Sequence, residues 1–545
     1  MVSVKPTSAK PQGYDCIPPE VVKVIHRSMK SLLLLVLLVV YVSANSVWPQ
    51  PQKIECSGSS YTLSPSSWNY VMKGVVTSSP KFHEAWSRYE DIIFVGRNSD
   101  KLTRTADGDI SSVDVTIAKD EPLSLGVSEA YTLTVSSEGA SIVAETVWGA
   151  LRALETLSQL VNVSRSSMGS SLSYTVAACA ITDAPRFAWR GMLIDTTRHY
   201  MPVNKILQIL DVLSFNKFNV LHWHIIDAES FPMVVETYPE LSAKGAYAPE
   251  AIFSPSDVQQ VIKEAELRGI RVVMEFDTPG HSASWGKGYP DIVTTCPALS
   301  ANINNIPLNP SHNLTYAVLA GVLDQSFKVN SDAYVHLGGD EVVYACWAAD
   351  PSVVQFANAM GFGSNWSELY NWHMQKALDV VNQSEKSAVV WEEVFEGQVN
   401  LPKSAIVQSW KSQTVLHNIV AAGYNGLLSA GWYLDREVPG TDTHYEWEDT
   451  WIDFYANEPI GASFSEKEAS LVLGGEAAMW GEQVNEFNFD SRVWPRASAI
   501  AERLWSAKDV TDPLAATPRL NEWSCRMERR GVKCGPIEPS YCEMY

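Results

Sequence analysis

Two adjacent carboxylates, Asp340 and Glu341, follow a glycine pair, Gly338-Gly339, which itself follows the run Tyr334-Val335-His336-Leu337. That run reads as a buried strand. Successive side chains of a strand point to opposite faces, so two acids meant for one pocket need the strand to end first. A glycine pair allows the backbone angles that re-aim the chain. A carboxylate pair at a strand's C-terminal end can supply acid and base chemistry. The competing local reading makes Asp340 the N-cap of a helix that starts at Val342-Val343-Tyr344.

Other apolar runs end in chemically equipped residues as well. One ends in Asp195, Arg198 and His199; the next holds His222-Trp223-His224 and leads to Asp227; a third holds Glu275 and leads to Asp277 and His281. Later runs deliver Trp391-Glu392-Glu393, Trp410, Trp432-Tyr433 with Asp435, and Trp480 with Glu482. Tryptophan rings match the C–H face of a pyranose, and acids with Arg198 suit its hydroxyls through charge-assisted hydrogen bonds. Glycosidic cleavage needs an acid for the leaving oxygen and stabilisation of an oxocarbenium-like centre. An aromatic-lined pocket would raise the pKa of Glu341 by desolvation and suit it to be that acid. His222-x-His224 with His281 and Asp227 supports a rival metal-site reading. Buried, hydrogen-bonded imidazoles are the commoner fate of such residues.

These side chains need elements to hold them. Eight β-like runs are expected, at 191–194, 220–226, 271–276, 333–337, 388–391, 405–410, 426–432 and 471–480. Amphipathic helical stretches such as 205–215, 257–268 and 314–327 alternate with them. Strand–helix alternation repeated eight times predicts an α/β fold, a (β/α)8 TIM barrel. Its active site would lie where the listed acids and aromatics fall, at the C-terminal strand ends. Scattered core residues would not share one end, so the helix-cap reading of Asp340 loses weight. Residues 45–184 read as a smaller α+β domain, with strands at 92–95, 113–117 and 131–135 and a helix over 142–161. The catalytic barrel would then occupy 185–545.

Bulk properties narrow the class. The chain has 545 residues, 46% hydrophobic and 19% charged, with a formal charge of −21. That balance is globular, and the negative charge disfavours nucleic acid as a partner. Lys30 precedes an apolar run over 32–42, then Val42-Ser43-Ala44, a signal-peptide pattern too short to span a bilayer. Residues 1–44 are therefore read as an N-terminal extension plus signal peptide, with Met29 the more ordinary start. Sequons at Asn162, Asn313, Asn365 and Asn382 agree with a secretory route. Seven cysteines would remain after cleavage, an odd number, without zinc-ligand spacing, so disulfides are the better reading.

The segments RGMLIDTTRHYMP, FNVLHWHIID, SFP, EFDTPGH, SWGKG, HLGGDEV, GWYLD and WGE, in that order, resemble family-20 glycoside hydrolases, the β-N-acetylhexosaminidases. The resemblance runs from about Ala184 to the end, residues 45–184 are similar to that family's non-catalytic domain, and VWPQP is similar to plant members. It implies an exo-acting, retaining enzyme that removes terminal GlcNAc or GalNAc by substrate-assisted catalysis. The substrate's own acetamido oxygen then attacks the anomeric carbon and forms an oxazolinium ion, without a cofactor. On this likeness Glu341 matches the general acid/base, and Asp340 the residue that orients the acetamido group. Tyr433 matches the donor to the acetamido oxygen, and Trp391, Trp410 and Trp480 match the box around it. Arg198, Asp435 and Glu482 match hydroxyl contacts, with Asp227 and His281 behind them. Cys296 with Cys346, and Cys525 with Cys542, fit the family's disulfides. Cys56, Cys179 and Cys534 are left unassigned. Ala228 departs from an acid found in many relatives, and Arg436 sits where relatives differ. The expected partner is a GlcNAc- or GalNAc-terminated oligosaccharide such as an N-glycan, with a homodimer as a further expectation. The expected setting is the secretory pathway: a vacuole or lysosome-like compartment, the cell surface or the exterior. A sugar-binding barrel without catalysis and a metal-dependent hydrolase are the alternatives.

Overall fold

The computed structural model describes residues 46–95, 103–104, 109–165, 171–436 and 450–543. The signal-peptide and extension readings for 1–44 lie outside the described residues. Two bodies of structure share an extensive interface.

The first is a mixed eight-stranded sheet. Its strands are β1 (Lys53–Thr62), β2 (Asn69–Lys73), β3 (Thr103–Arg104), β4 (Ser112–Ile117), β5 (Tyr131–Ser136), β6 (Gly139–Ala144), β7 (Val161–Arg165) and β8 (Ser171–Asp183). The main order is β1-β8-β5-β6-β4-β2, with β3 and β7 also pairing with β8. Strand β5 alternates buried and outward residues along YTLTVS, as a strand with one covered face must. Helices α1 (Pro80–Ile93) and α2 (Val147–Leu160) pack with this sheet in one core. Two expectations fail here. Residues 92–95 are the end of α1, its cap Phe94 and a turn, not a strand: Ser79 caps the helix and Pro80 starts it, and Ile93 lies on the helix's buried face. The helix expected from 142 begins only at Val147, because Ile142 pairs with Leu133 in the β5–β6 hairpin. Thr146 then caps the helix through the backbone N–H groups of Trp148 and Gly149.

The second body is a closed parallel barrel of β9 (Trp189–Asp195), β10 (Val220–Ile226), β11 (Arg271–Phe276), β12 (Tyr334–His336), β13 (Ser387–Trp391), β14 (Ile406–Ser409), β15 (Asn425–Leu428) and β16 (Val472–Met479). The eight expected runs all become its strands, in order. Their apolar continuity follows from burial on both faces: every residue of β9, β10 and β11 is buried. The seventh run is shorter than expected, because Gly431 (φ 78°) turns the chain after β15. Tyr433 rejoins the barrel by a single bridge to Ala478.

Helix α2 is buried along its whole length, a consequence of lying between sheet and barrel. From it Arg152 donates to the carbonyl oxygens of Phe218, Arg268 and Gly269, at the N-terminal end of the barrel. Arg152 and Arg190 share Glu129 at 2.7 and 2.6 Å, all three buried. Beside them the fully buried Lys217 meets Asp183 at 3.0 Å and donates to the Tyr131 hydroxyl oxygen at the same distance. Cys56 and Cys179, unassigned from sequence, stand opposite each other in the β1–β8 register and are joined. Disulfides also join Cys296 to Cys346 and Cys525 to Cys542, and Cys534 is a free thiol. Of the sequon asparagines, Asn313, Asn365 and Asn382 are exposed and Asn162 is half-buried on β7. No described helix is long and apolar enough to cross a membrane.

Candidate active site

Strand β12 is only three residues long, and its end governs the site. Gly338 (φ 63°), Gly339 (φ 103°) and Glu341 (φ 51°) all take left-handed backbone angles. A Cβ on Gly338 would stand 1.9 Å from Asp277 Oδ1, and one on Gly339 2.4 Å from Val394 Cγ2. Glycine is therefore required twice, for conformation and for space. The Gly339 N–H donates to Asp277 Oδ1 at 2.9 Å, and Tyr370 donates its hydroxyl to the Gly339 carbonyl at 2.5 Å. The following helix, Tyr344–Ala349, is capped at Val343, so Asp340 is not a helix cap.

The turn sends both carboxylates into one pocket at the C-terminal mouth of the barrel. Its lining contains every residue assigned to the site from sequence: Arg198, Asp227, His281, Asp340, Glu341, Trp391, Trp410, Tyr433, Asp435, Trp480 and Glu482. Asp277 lines it too. The sequence had placed Asp277 at a strand end without giving it a site role; its bond to Gly339 crosses between strands and leaves no local sequence signal.

Trp391 is buried and donates its indole N–H to Glu275 at 2.8 Å, which fixes it as a wall. Trp480 carries the Arg198 guanidinium over its ring at 5.2 Å. Trp410 and Tyr433 face each other with ring centres 6.3 Å apart. Arg198 is encircled by acids: Asp227 at 2.8 Å, Glu229 at 3.1 Å and Asp195 at 3.3 Å. Glu229 follows the non-acidic Ala228 and restores a carboxylate next to the arginine. Asp195 also accepts the Gly481 N–H at 2.9 Å, and His199 bonds the Gly481 carbonyl at 2.6 Å, which sets the Trp480–Glu482 turn.

Burial and charge give the two central acids opposite characters. Asp340 is buried, and burial together with the nearby Asp277 carboxylate pushes its pKa well up. Glu341 is the reverse of the expectation. Its side chain is 58% exposed, and the hydrogen bond from His281 Nε2, 3.4 Å away, lowers its pKa. The aromatic walls do not reach around it, so desolvation is the weaker effect. Burial alone would lower His281, but Asp227 and Glu341 outweigh it and hold the ring as an imidazolium. Burial pushes Asp277 and Asp435 up to about 7 each.

The histidines of β10 are paired with carboxylates. His222 meets Glu476 at 2.8 Å and Glu275 at 3.1 Å, while His224 meets Glu275 at 2.5 Å and Asp227 at 2.6 Å. Both nitrogens of both rings face carboxylates, an arrangement that favours protonated rings; His222 also stands with Glu275 and His336, their ligand atoms within 4.8 Å of one another. Against the burial that would lower it, Glu476 and Glu275 raise His222 to about 9.

Comparison with known proteins agrees with this geometry. Residues 187–508 match the family described as glycosyl hydrolase family 20, catalytic domain, and residues 47–160 match that described as beta-acetyl hexosaminidase like. The chain is 39% identical over 512 residues to beta-hexosaminidase subunit A1 of Dictyostelium discoideum, covering 94% of this chain and 93% of that one. It is 40% identical over 510 residues to the human beta-hexosaminidase subunit beta, covering 91% and 89%. Among solved structures it resembles the Flavobacterium johnsoniae chitobiase, with a TM-score of 0.77 and 29% identity over 90% of this chain and 73% of that one. An acid pair, an aromatic box and a closed barrel in one place, with relatives alike along nearly the whole chain, make this protein a member of glycosyl hydrolase family 20, an exo-acting β-N-acetylhexosaminidase.

Proposed function

We propose that the pocket residues divide substrate-assisted hydrolysis of terminal β-GlcNAc or β-GalNAc among themselves. The observation that carries the reading is the left-handed turn Gly338–Glu341, which delivers two neighbouring carboxylates to one pocket with different exposure. Glu341, at the open side, protonates the leaving glycosidic oxygen and later activates water. Its pKa is lowered while water reaches the carboxyl; a sugar covering it removes that water and raises the pKa, and His281 stands ready as proton donor. Asp340, in the buried wall, accepts the acetamido N–H. Ionising it there is costly, so a forming oxazolinium cation is stabilised strongly by its charge. Tyr433 donates to the acetamido oxygen, Trp391, Trp410 and Trp480 box the group, and Arg198, Asp435 and Glu482 take hydroxyls. Asp227 holds Arg198 and His281.

In this reading 185–545 is the catalytic unit and 45–184 the supporting one. The substrate is a GlcNAc- or GalNAc-terminated glycan, processed in a secretory, vacuolar, lysosome-like or extracellular setting by a glycosylated chain, as a homodimer. Three disulfides and three exposed sequon asparagines support that route. The test is release of 4-nitrophenol from its β-GlcNAc and β-GalNAc glycosides near pH 5, with and without EDTA, for wild type and Glu341→Gln. Turnover that ignores EDTA, collapses in the variant and is blocked by an N-acetyl thiazoline supports the proposal. Thiazoline binding without turnover by the wild type would make the barrel a sugar-binding protein.

A further inference from the structure

Trp410 differs from the other two tryptophans of the pocket in how it is held. Trp391 is locked into the barrel core, and Trp480 lies under Arg198, but Trp410 is only half-buried on the rim of β14. Two consecutive glutamates after β13 grip it. Glu392 Oε2 accepts the backbone N–H groups of Trp410 at 3.0 Å and of Lys411 at 3.3 Å. Glu393 accepts the indole N–H on both oxygens, at 3.2 and 3.1 Å. Lys411 in turn holds Glu393 at 3.0 Å and Glu396 at 2.9 Å.

We propose that Glu393 is a positioning residue that fixes the Trp410 indole as a wall of the acetamido pocket, a role resting on the reading of Trp410 given above. An indole attached to the barrel by one short strand end swings about two side-chain torsions. A side-chain oxygen accepting its N–H removes that freedom, and Lys411, which holds the same side chain at 3.0 Å, prevents it from following the ring outward. The acetamido group is the nucleophile in this reaction, so the wall sets the alignment of the reacting atoms and acts on kcat as well as on binding.

Glu393 also carries a charge that bears on Asp340, so the test must separate contact from charge. Glu393→Gln keeps an acceptor for the indole and removes the charge; Glu393→Asp keeps the charge and withdraws the acceptor by one methylene. With 4-nitrophenyl β-GlcNAc, the Asp variant is expected to lose kcat/KM by roughly tenfold or more, chiefly in kcat, and the Gln variant to stay within about threefold of wild type. In a Trp410→Phe background, which lacks the N–H, Glu393→Asp should cost less than about threefold. A Gln variant as impaired as Asp, with a displaced pH profile, would overturn the proposal in favour of an effect of charge on Asp340. An equal loss in both backgrounds would also overturn it. Trp410→Ala with unchanged kcat/KM would instead overturn the reading of Trp410 itself.

Discussion

His281 stands between two acids: its Nε2 lies 3.4 Å from Glu341 Oε2 and its Nδ1 lies 3.4 Å from Asp227 Oδ1. The buried Asp227 thus favours a protonated ring, which presents its positive charge to an exposed carboxyl and lowers that carboxyl's pKa. His281 has φ 51°, and asparagine tolerates that angle better than most residues, so His281→Asn tests the chemistry with little backbone cost. Without the donor, the pKa of Glu341 rises. The alkaline limb of the kcat/KM profile, which marks loss of the acid's proton, should move to higher pH while the maximum falls by about tenfold or more. A limb that stays in place would mean that another group titrates there.

The turn that carries the acids should resist any added side chain. Gly339→Ala places a methyl group against Val394 at a φ of 103°, and Gly338→Ala drives one into Asp277. Strain of this kind costs about 1–3 kcal/mol, before the clash is counted. A displacement near 1 Å at the reacting atoms costs on the order of a hundredfold in rate. Both variants should lose activity at temperatures where circular dichroism still reports a folded chain.

Stability should peak in acid and decline as pH rises. Asp277 and Asp435 titrate near 7 in the folded chain, and Asp340 is also raised, against about 3.9 for a free aspartate. Between those values the folded state binds more protons than the unfolded one, so stability falls with rising pH. His222, near 9 when folded and about 6.5 when free, adds stability that is complete below 6.5 and lost as pH climbs through 9. Glu129, Asp227 and Glu275 are lowered and act in the opposite sense below the free carboxylate range, and the buried His373, lowered to about 3, opposes the decline up to about 6.5 but is outnumbered by the three raised aspartates. Thermal unfolding from pH 4 to 9 should therefore give a maximal Tm near 5. Asp277→Asn should flatten the decline between 5 and 7; an unchanged slope would assign the protons elsewhere.

At the other end of the barrel, Glu129 neutralises two buried arginines. Glu129→Ala leaves Arg152 and Arg190 charged, buried and facing each other. Breaking such a cluster from one side costs about 3–5 kcal/mol. The expected result is a clear drop in Tm with kcat within about twofold of wild type at low temperature, since the pocket lies at the opposite strand ends. An unchanged Tm would show that the arginines find other partners.

What could be read from sequence follows from what is local. The barrel strands are continuous apolar runs closed by polar residues, so their order and the acids at their ends are visible in one dimension. Gly338-Gly339 announces the turn because only glycine serves there. Contacts between distant elements leave no such trace. Asp277 reaches Gly339 across strands, Cys56 finds Cys179 through sheet register, and Glu129 finds Arg190 across the interface between the two bodies. Glu341 shows the limit on electrostatics: residue types suggested a dry pocket, but its exposure and the His281 contact depend on which way one backbone angle points. The first body was the harder to read, because its strands mix parallel and antiparallel pairing and so lack a single pattern of burial.

The buried seam in which Glu129 meets Arg152, Arg190 and the Asn219 side-chain N–H (3.0 Å), with the Lys217–Asp183 pair beside it, also constrains chimeras. Exchanging the sheet of one relative for that of another changes one side of a lock whose wards were cut together. A swap that carries Glu129 and Asp183 into a partner without Arg190 and Lys217 would trap unmatched charge in a dry seam, however well the two halves fit in outline. Grafts between family members should therefore be joined with both sides of this seam from the same parent.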